Sequence, residues 1–312
     1  MTTVRSESAI ETGAPMTRRP RVRGGWRALN WKALLWVLPA LVAYAVFDLY
    51  PLTQTVRYSF YNWDGVGTAT DAGFANYVAV FTNPEQFASI LHAFLLIIFF
   101  TVIPVGLGLI VAAIIRDLRA GPFATFSKTV LFLPQVLPLA AAGLIWTWIY
   151  APNGMLNGFL RAVGLGSLAQ DWLGNFDTAL PAVGIIGSWV SLGFCTVLLL
   201  AGIGKIDGSL YEAVRLDGAN RVQEFFAITL PGLRSEIVVA CTVTIIAALA
   251  SFDVIYISTS GGPGYSTMVP GLEIYRLTFV SQQVGSASAL AVVLTILILA
   301  IVLPLQRLGR QS

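Results

Sequence analysis

The sequence predicts an all-α, polytopic membrane protein. Three observations lead there: a shortage of charge, six long apolar runs, and basic residues gathered between alternate runs. Of 312 residues, 56% are hydrophobic and only 11% charged, where soluble domains carry about 25%. Mean hydropathy is +0.75. So few charges cannot cover a water-facing surface, which excludes a soluble globular class. The net charge of +3 says less than the placement of the basic residues.

Residues 1–29 are polar and basic, with Gly24-Gly25 and two prolines, a composition expected to stay disordered beside anionic lipid. A crossing needs about 20 mostly apolar residues, and six runs qualify: 33–50, 90–115, 130–149, 179–203, 237–257 and 287–305. The first reads as a retained anchor, because it is long and no small-residue cleavage site follows. Pro39, Pro104 and Pro138 fall within runs, as kinks whose freed carbonyls neighbouring helices can satisfy. The third run is uncharged and ends in Trp146, Trp148 and Tyr150, an interfacial aromatic belt. In the fourth lies Cys195, and in the fifth Cys241, both read as reduced thiols acting as small hydrophobes. Asp253 stands toward the outer end of the fifth run. A charge costs about 2.5–3.5 kcal/mol at a helix centre and less near the interface, so Asp253 either caps backbone or faces a polar path.

Orientation follows from Lys and Arg. Seven lie in the tail up to Lys32. Arg116, Arg119 and Lys128 follow the second run, Lys205, Arg215, Arg221 and Arg234 the fourth, and Arg307 and Arg310 close the chain. Against these sixteen, the opposite side holds only Arg57, Arg161 and Arg276. The positive-inside rule makes the sixteen cytoplasmic, with both termini inside, as an even number of spans requires.

Several chemistries are excluded. With one histidine and two scattered cysteines, no metal site of His/Cys type is expected. The string nearest to a phosphate-binding loop is AGIGKID, where Lys205 is followed by Ile206 instead of Ser or Thr. The GLGLIV string from Gly106 belongs to span packing. His92, near the outer end of the second run, is expected to face a loop or headgroups, and no Ser/His/Asp set surrounds it. The chain is therefore expected to hold no cofactor, catalyse no reaction and bind no nucleic acid.

The stretch KIDGSLYEAVRLDGANRVQEFFAITLPGL, from Lys205, is the most polar of the second half. It reads as two short helices joined at Asp217-Gly218. Leu210, Val214 and Leu216 form an apolar face, Gly218 permits the turn, and Pro231 restarts the chain into the fifth run. An amphipathic helix here is either an ordinary interfacial connector or a docking surface.

This stretch resembles the EAA loop of permease subunits of bacterial ABC importers, in Glu212-Ala213-Val214, Asp217-Gly218-Ala219 and Ile228-Thr229-Leu230-Pro231. Val214 departs from the pattern's second alanine. YSFYNWDG (58–65), FANYVAVFTNP (74–84), LFLPQVLPLAAAGLIWTWIYAPNG (131–154) and SFDVIYISTSGGPGYST (251–267) are similar to carbohydrate-importer permeases of the maltose, lactose and glycerol-3-phosphate type. The likeness runs from about residue 34 to 305. Added amino-terminal spans and a large second external domain, found in the maltose version, have no counterpart.

The resemblance implies a bacterial cytoplasmic-membrane permease paired with a second, different permease. Two ATPase subunits would bind ATP and Mg, and an external binding protein would deliver the solute. It also implies alternating access driven through the loop, with Glu212 pairing with a basic residue of the ATPase. By the same analogy the solute path draws on Trp189, Ser191, Gly193 and Phe194 of span four and on Ser251, Asp253 and Tyr256 of span five. Sugar, polyol and glycerophosphodiester all remain open as solutes. An ion-gradient transporter would need an ion site, for which only Asp253 offers itself, and a non-transporting scaffold would not need the loop.

Overall fold

The computed structural model describes residues 31–117 and 122–310, so the tail at 1–29 and Arg119 lie outside the described residues. Contacts divide the chain into two units, Met1–Pro51 and Leu52–Ser312. In the first, α1 (Trp31–Tyr44) holds Pro39 in its interior and is followed by a π-helical turn at Ala45–Leu49.

The second unit opens within α2 (Tyr50–Tyr58) and continues with a two-stranded hairpin, β1 (Tyr61–Asn62) and β2 (Thr70–Asp71). It is a small exception to an all-α reading, closed by Asp64 Oδ1 accepting from the Val66 and Gly67 amides at 2.9 and 2.7 Å. Then come α3 (Ala75–Thr82), α4 (Pro84–Ile97), α5 (Ile103–Asp117), α6 (Pro122–Val136), α7 (Leu139–Tyr150) and α8 (Met155–Ala162). The long α9 (Ala179–Ile203) leads to α10 (Gly208–Leu216), α11 (Arg221–Glu224), α12 (Leu230–Gly232) and α13 (Arg234–Leu249). Last are α14 (Asp253–Ser258), α15 (Pro270–Tyr275) and α16 (Val284–Arg310).

Among the described residues, four helices are long and apolar enough to cross a membrane: Leu35–Tyr58, Pro84–Arg116, Ala179–Ile203 and Val284–Arg307. Two bent pairs would raise the number to six. The fourth run matches its expected bounds to the residue, and at 25 residues α9 spans about 37 Å, more than the hydrocarbon thickness.

Two runs depart from a straight helix. The third breaks by 105° between Val136 and Leu139. Pro138, at φ −55° and ψ 138°, is extended and opens α7 without an N–H to continue the earlier ladder. The fifth run ends at Leu249, eight residues short of the expected 257. Asp253 therefore belongs to no continuous span, but is the first residue of the separate α14. At the break the Ser251 carbonyl crowds Gly271, where an added Cβ would sit 2.8 Å from it.

Prolines also widen the helices. Three of the π-helical turns, Ala45–Leu49, Ile98–Val102 and Phe225–Thr229, end two residues before Pro51, Pro104 and Pro231. A proline ring clashes with the carbonyl four residues back, and a wider turn relieves that clash while the helix continues.

α9 is the central element, packed most extensively on α5. It approaches closely because Gly184 and Gly187 meet the rings of Phe99 and Phe100, where an added Cβ would sit 2.4 and 2.0 Å away. Around it Leu96, Val183, Ile186, Val254 and Leu272 form the largest buried cluster.

Candidate functional site

The segment after α9 builds itself from local signals. Asp207 Oδ1 accepts from the Ser209 amide at 3.0 Å and starts α10. At the other end, Gly218 N bonds Arg215 O (3.0 Å) and Ala219 N bonds Val214 O (3.1 Å). These are the two bonds of a Schellman stop, whose left-handed position is Gly218 at φ +82°. Asp217 and Gly218 thus join two helices, as expected. Asn220 opens α11 with a capping box, accepting from the Val222 and Gln223 amides while Gln223 Oε1 accepts from Asn220 N at 2.8 Å.

The loop has a bonded inner face and a bare outer one. Inside, Glu224 is almost fully buried, its side chain 3% exposed. Arg215 grips it with two bonds, Nε to Oε2 at 2.8 Å and Nη2 to Oε1 at 3.2 Å, and Arg116 at the end of α5 donates to the same Oε1. The Arg116 guanidinium lies 4.2 Å from the Tyr211 ring centre, and the Tyr211 hydroxyl meets Thr229 Oγ1 at 3.2 Å. The Arg215 guanidinium, opposed by burial and assisted by Arg116, holds the Glu224 carboxyl below its ordinary value. Outside, Leu216, Val222 and Phe226 are 88, 64 and 61% exposed. Leu210, Glu212 and Ala213 are exposed too, Val214, Ala219 and Leu230 half-buried, and Pro231 exposed on α12. Sequence reasoning missed Arg116, Tyr211 and Glu224. Each is visible as a residue type, but nothing local announces that positions 108 apart will meet.

The solute-path candidates fall into separate places. Trp189 packs edge-on against Trp146 (5.7 Å) and lines an apolar cavity of about 500 Å³ with Trp146, Met155 and Phe159. Ser251, Asp253 and Tyr256 share the α13–α14 break. Ser251 is buried with its hydroxyl unpartnered, Asp253 is exposed, and Tyr256 stacks on Phe252 at 5.2 Å beside Tyr275. Trp189 and Phe252 pack on the same core cluster. Ser191 is buried within α9, Gly193 lets α9 approach the Leu131 carbonyl of α6, and Phe194 packs beside Leu199 and Leu233. The structure thus gathers the span-five trio and leaves Gly193 and Phe194 at helix contacts. His92 Nδ1 meets the Met268 carbonyl oxygen at 2.8 Å, joining α4 to the chain before α15.

Comparison with known proteins gives this geometry a context. Residues 105–310 match the family model described as binding-protein-dependent transport system inner membrane component. The chain is 36% identical to a probable ABC transporter permease of Bacillus subtilis, over 86% of this chain and 92% of that one. It is 32% identical to a diacetylchitobiose uptake system permease of Streptomyces coelicolor, over 97% and 92%. In fold it is similar to the crystal structure of a bacterial ABC transporter involved in the import of the acidic polysaccharide alginate, with a TM-score of 0.77, 23% identity and coverage of 90% and 96%. The bonded loop, the apolar helices and these likenesses converge: the chain belongs to the family of inner membrane components of binding-protein-dependent transport systems and is a multi-pass permease of the ABC importer type.

Proposed function

We propose that the chain is one of two different permeases of an ATP-driven importer for a carbohydrate or carbohydrate-like solute, in the cytoplasmic membrane of a bacterium. In this reading it crosses the membrane six times with both termini inside. Two ATPase subunits bind ATP and Mg and seat on the loop, and an external binding protein brings the solute. The chain itself hydrolyses nothing.

The observation that carries the reading is the loop's two-faced construction. Glu224, Arg215, Tyr211 and Thr229 are bonded inward while Leu216, Val222 and Phe226 stand exposed, as does Glu212, as a preformed contact for a partner's groove would require. The solute class rests on the diacetylchitobiose relative and on the aromatic faces of Trp146 and Trp189 and of Tyr256 and Tyr275, with Ser251 and Asp253 at the neighbouring α13–α14 break. Aromatic surface with a few polar groups suits sugars.

Reconstitution tests it. Proteoliposomes holding both permeases, the ATPase and the binding protein should take up a saccharide only with ATP, and the chain alone should neither transport nor hydrolyse. ATP-independent uptake by the chain alone would refute the reading. Cysteines placed at Lys205 and Arg310 should react only after the membrane is breached, and labelling in intact cells would reverse the orientation.

A further inference from the structure

Loop motion has two routes into the membrane. One follows the chain from α11 through a π-helical turn into α13, with a 69° bend between Arg221–Gly232 and Arg234–Leu249. That path is compliant at two points. The other leaves the chain at Glu224 and enters α5 through Arg116. From Ile103 to Asp117, α5 runs as one 15-residue helix on α9, a rigid lever of about 22 Å.

We propose, building on the importer reading, that Glu224 is the positioning residue that makes α10, α11 and the end of α5 move as one body, so that tilt of the loop is delivered to α5. Its carboxylate is shared: Arg215 of α10 takes both oxygens and Arg116 of α5 takes one of them. A carboxylate at 3% exposure keeps its partners through a movement, because separation would leave a charge buried and unpaired. Arg215 is half exposed and Arg116 one-fifth exposed, so the carboxylate is the inner member that both guanidinia must follow. The Tyr211 ring beneath Arg116 and its contact with Thr229 add a second tie beside the first.

The test measures solute imported per ATP hydrolysed by the full complex in proteoliposomes. Glu224→Gln and Arg116→Gln are expected to assemble and keep ATP hydrolysis within about twofold, while solute per ATP falls about tenfold, in the range of typical coupling energies. The double variant should fall no further than the worse single, since both changes cut one joint. Arg116→Lys, which keeps the charge and loses the flat guanidinium, should sit between them and the wild type. A ratio within about twofold of wild type in Arg116→Lys and in either Gln variant, or losses that multiply in the double, would overturn the proposal. A wild-type complex that does not couple ATP to uptake would sink the importer reading as well. A coupling wild type with equally coupled variants sinks the joint alone.

Discussion

The loop end of the molecule and its far end both bury polar side chains, yet they treat them differently. At the loop end, Glu224 is held by Arg215 and Arg116, and Glu236 accepts from Lys205 Nζ at 2.9 Å and from Ser235 Oγ at 2.6 Å. At the far end, where α4 and α9 begin and α7 and α13 finish, the polar atoms are left over. Of seven buried side-chain atoms without a hydrogen-bond partner among the described residues, five lie there: Gln86 Oε1, Trp146 Nε1, Ser251 Oγ, Ser266 Oγ and Glu273 Oε2. Leaving a buried polar atom unpaired costs about 1–3 kcal/mol each. A protein that pairs its buried loop-end carboxylates but leaves polar atoms unpaired elsewhere is more rigid at the loop end, where the proposed reading seats the ATPase, and leaves polar groups at the far end available to bond. The difference teaches a division of labour along one set of helices.

The largest expected effect strikes the rigid end. Gly218 has open space around its Cβ position, so crowding plays no part there, but its φ of +82° is hostile to a β-branched side chain. Gly218→Val should cost about 1–3 kcal/mol of backbone strain, and each 1.4 kcal/mol is about tenfold in an equilibrium. Uptake should fall about tenfold or more and the ATPase subunit should be lost on purification. Gly218→Val with normal uptake and full subunit retention would mean that the loop end is not the rigid one.

A matched pair of substitutions comes next. Glu236→Gln removes a charge that Lys205 and Ser235 bond, and should destabilise the complex by about 1 kcal/mol. Glu273→Gln removes a buried charge whose Oε2 has no partner, and should be neutral or stabilising. Thermal unfolding of the two variants in one detergent decides between them. Equal destabilisation by both would erase the contrast.

The readable parts of this chain are the local ones. Asp207, Gly218, Asn220 and Gln223 act within four residues of themselves, so caps and the Schellman stop follow from spacing alone, and the loop was legible as two helices. Pro138 announced a kink but not its size, because a bend of 105° depends on what α6 and α7 pack against. The break after Leu249 was invisible: Ala250, Ser251 and Phe252 look like a continuing span, and the crowding by Gly271 comes from twenty residues away. Glu224 meeting Arg116 is a fact of tertiary structure with no local mark. The solute-path residues were the least legible, since Trp189 and Gly193 share a helix yet one faces an aromatic cavity and the other a backbone carbonyl.

Acidity separates the ends further, with a smaller effect. Burial pushes the Glu273 carboxyl above its ordinary value of 4.5, opposed by Arg276 and aided by Glu85. Such a group binds its proton more tightly when folded, so the far end should firm as pH falls through the raised value toward 4.5. Glu224 is shifted the other way, and its contribution should hold until pH drops below 4.5. Amide exchange followed as pH is lowered toward 4.5, corrected for intrinsic rates, should slow in α15 and stay constant in α11. Slowing in α11 with none in α15 would invert the comparison.

The smallest effect concerns a loop-end pair that reaches far into solvent. Lys205 bonds Glu236, but its side chain is 72% exposed, so water competes for the ammonium and salt screens the attraction. Such pairs contribute about 0–1 kcal/mol, and Ser235 still donates to the carboxylate when the lysine is gone. Lys205→Ala should therefore lower stability by less than about 1 kcal/mol and leave uptake within about twofold, with the residual difference vanishing in high salt. The same truncation tests where rigidity resides. If it resides in the buried carboxylate and its two guanidinia, removing a solvent-facing partner of a neighbouring glutamate changes little. A loss in Lys205→Ala as large as that of Gly218→Val would place the rigidity in the surface charge instead, and the distinction between the two ends would no longer rest on burial.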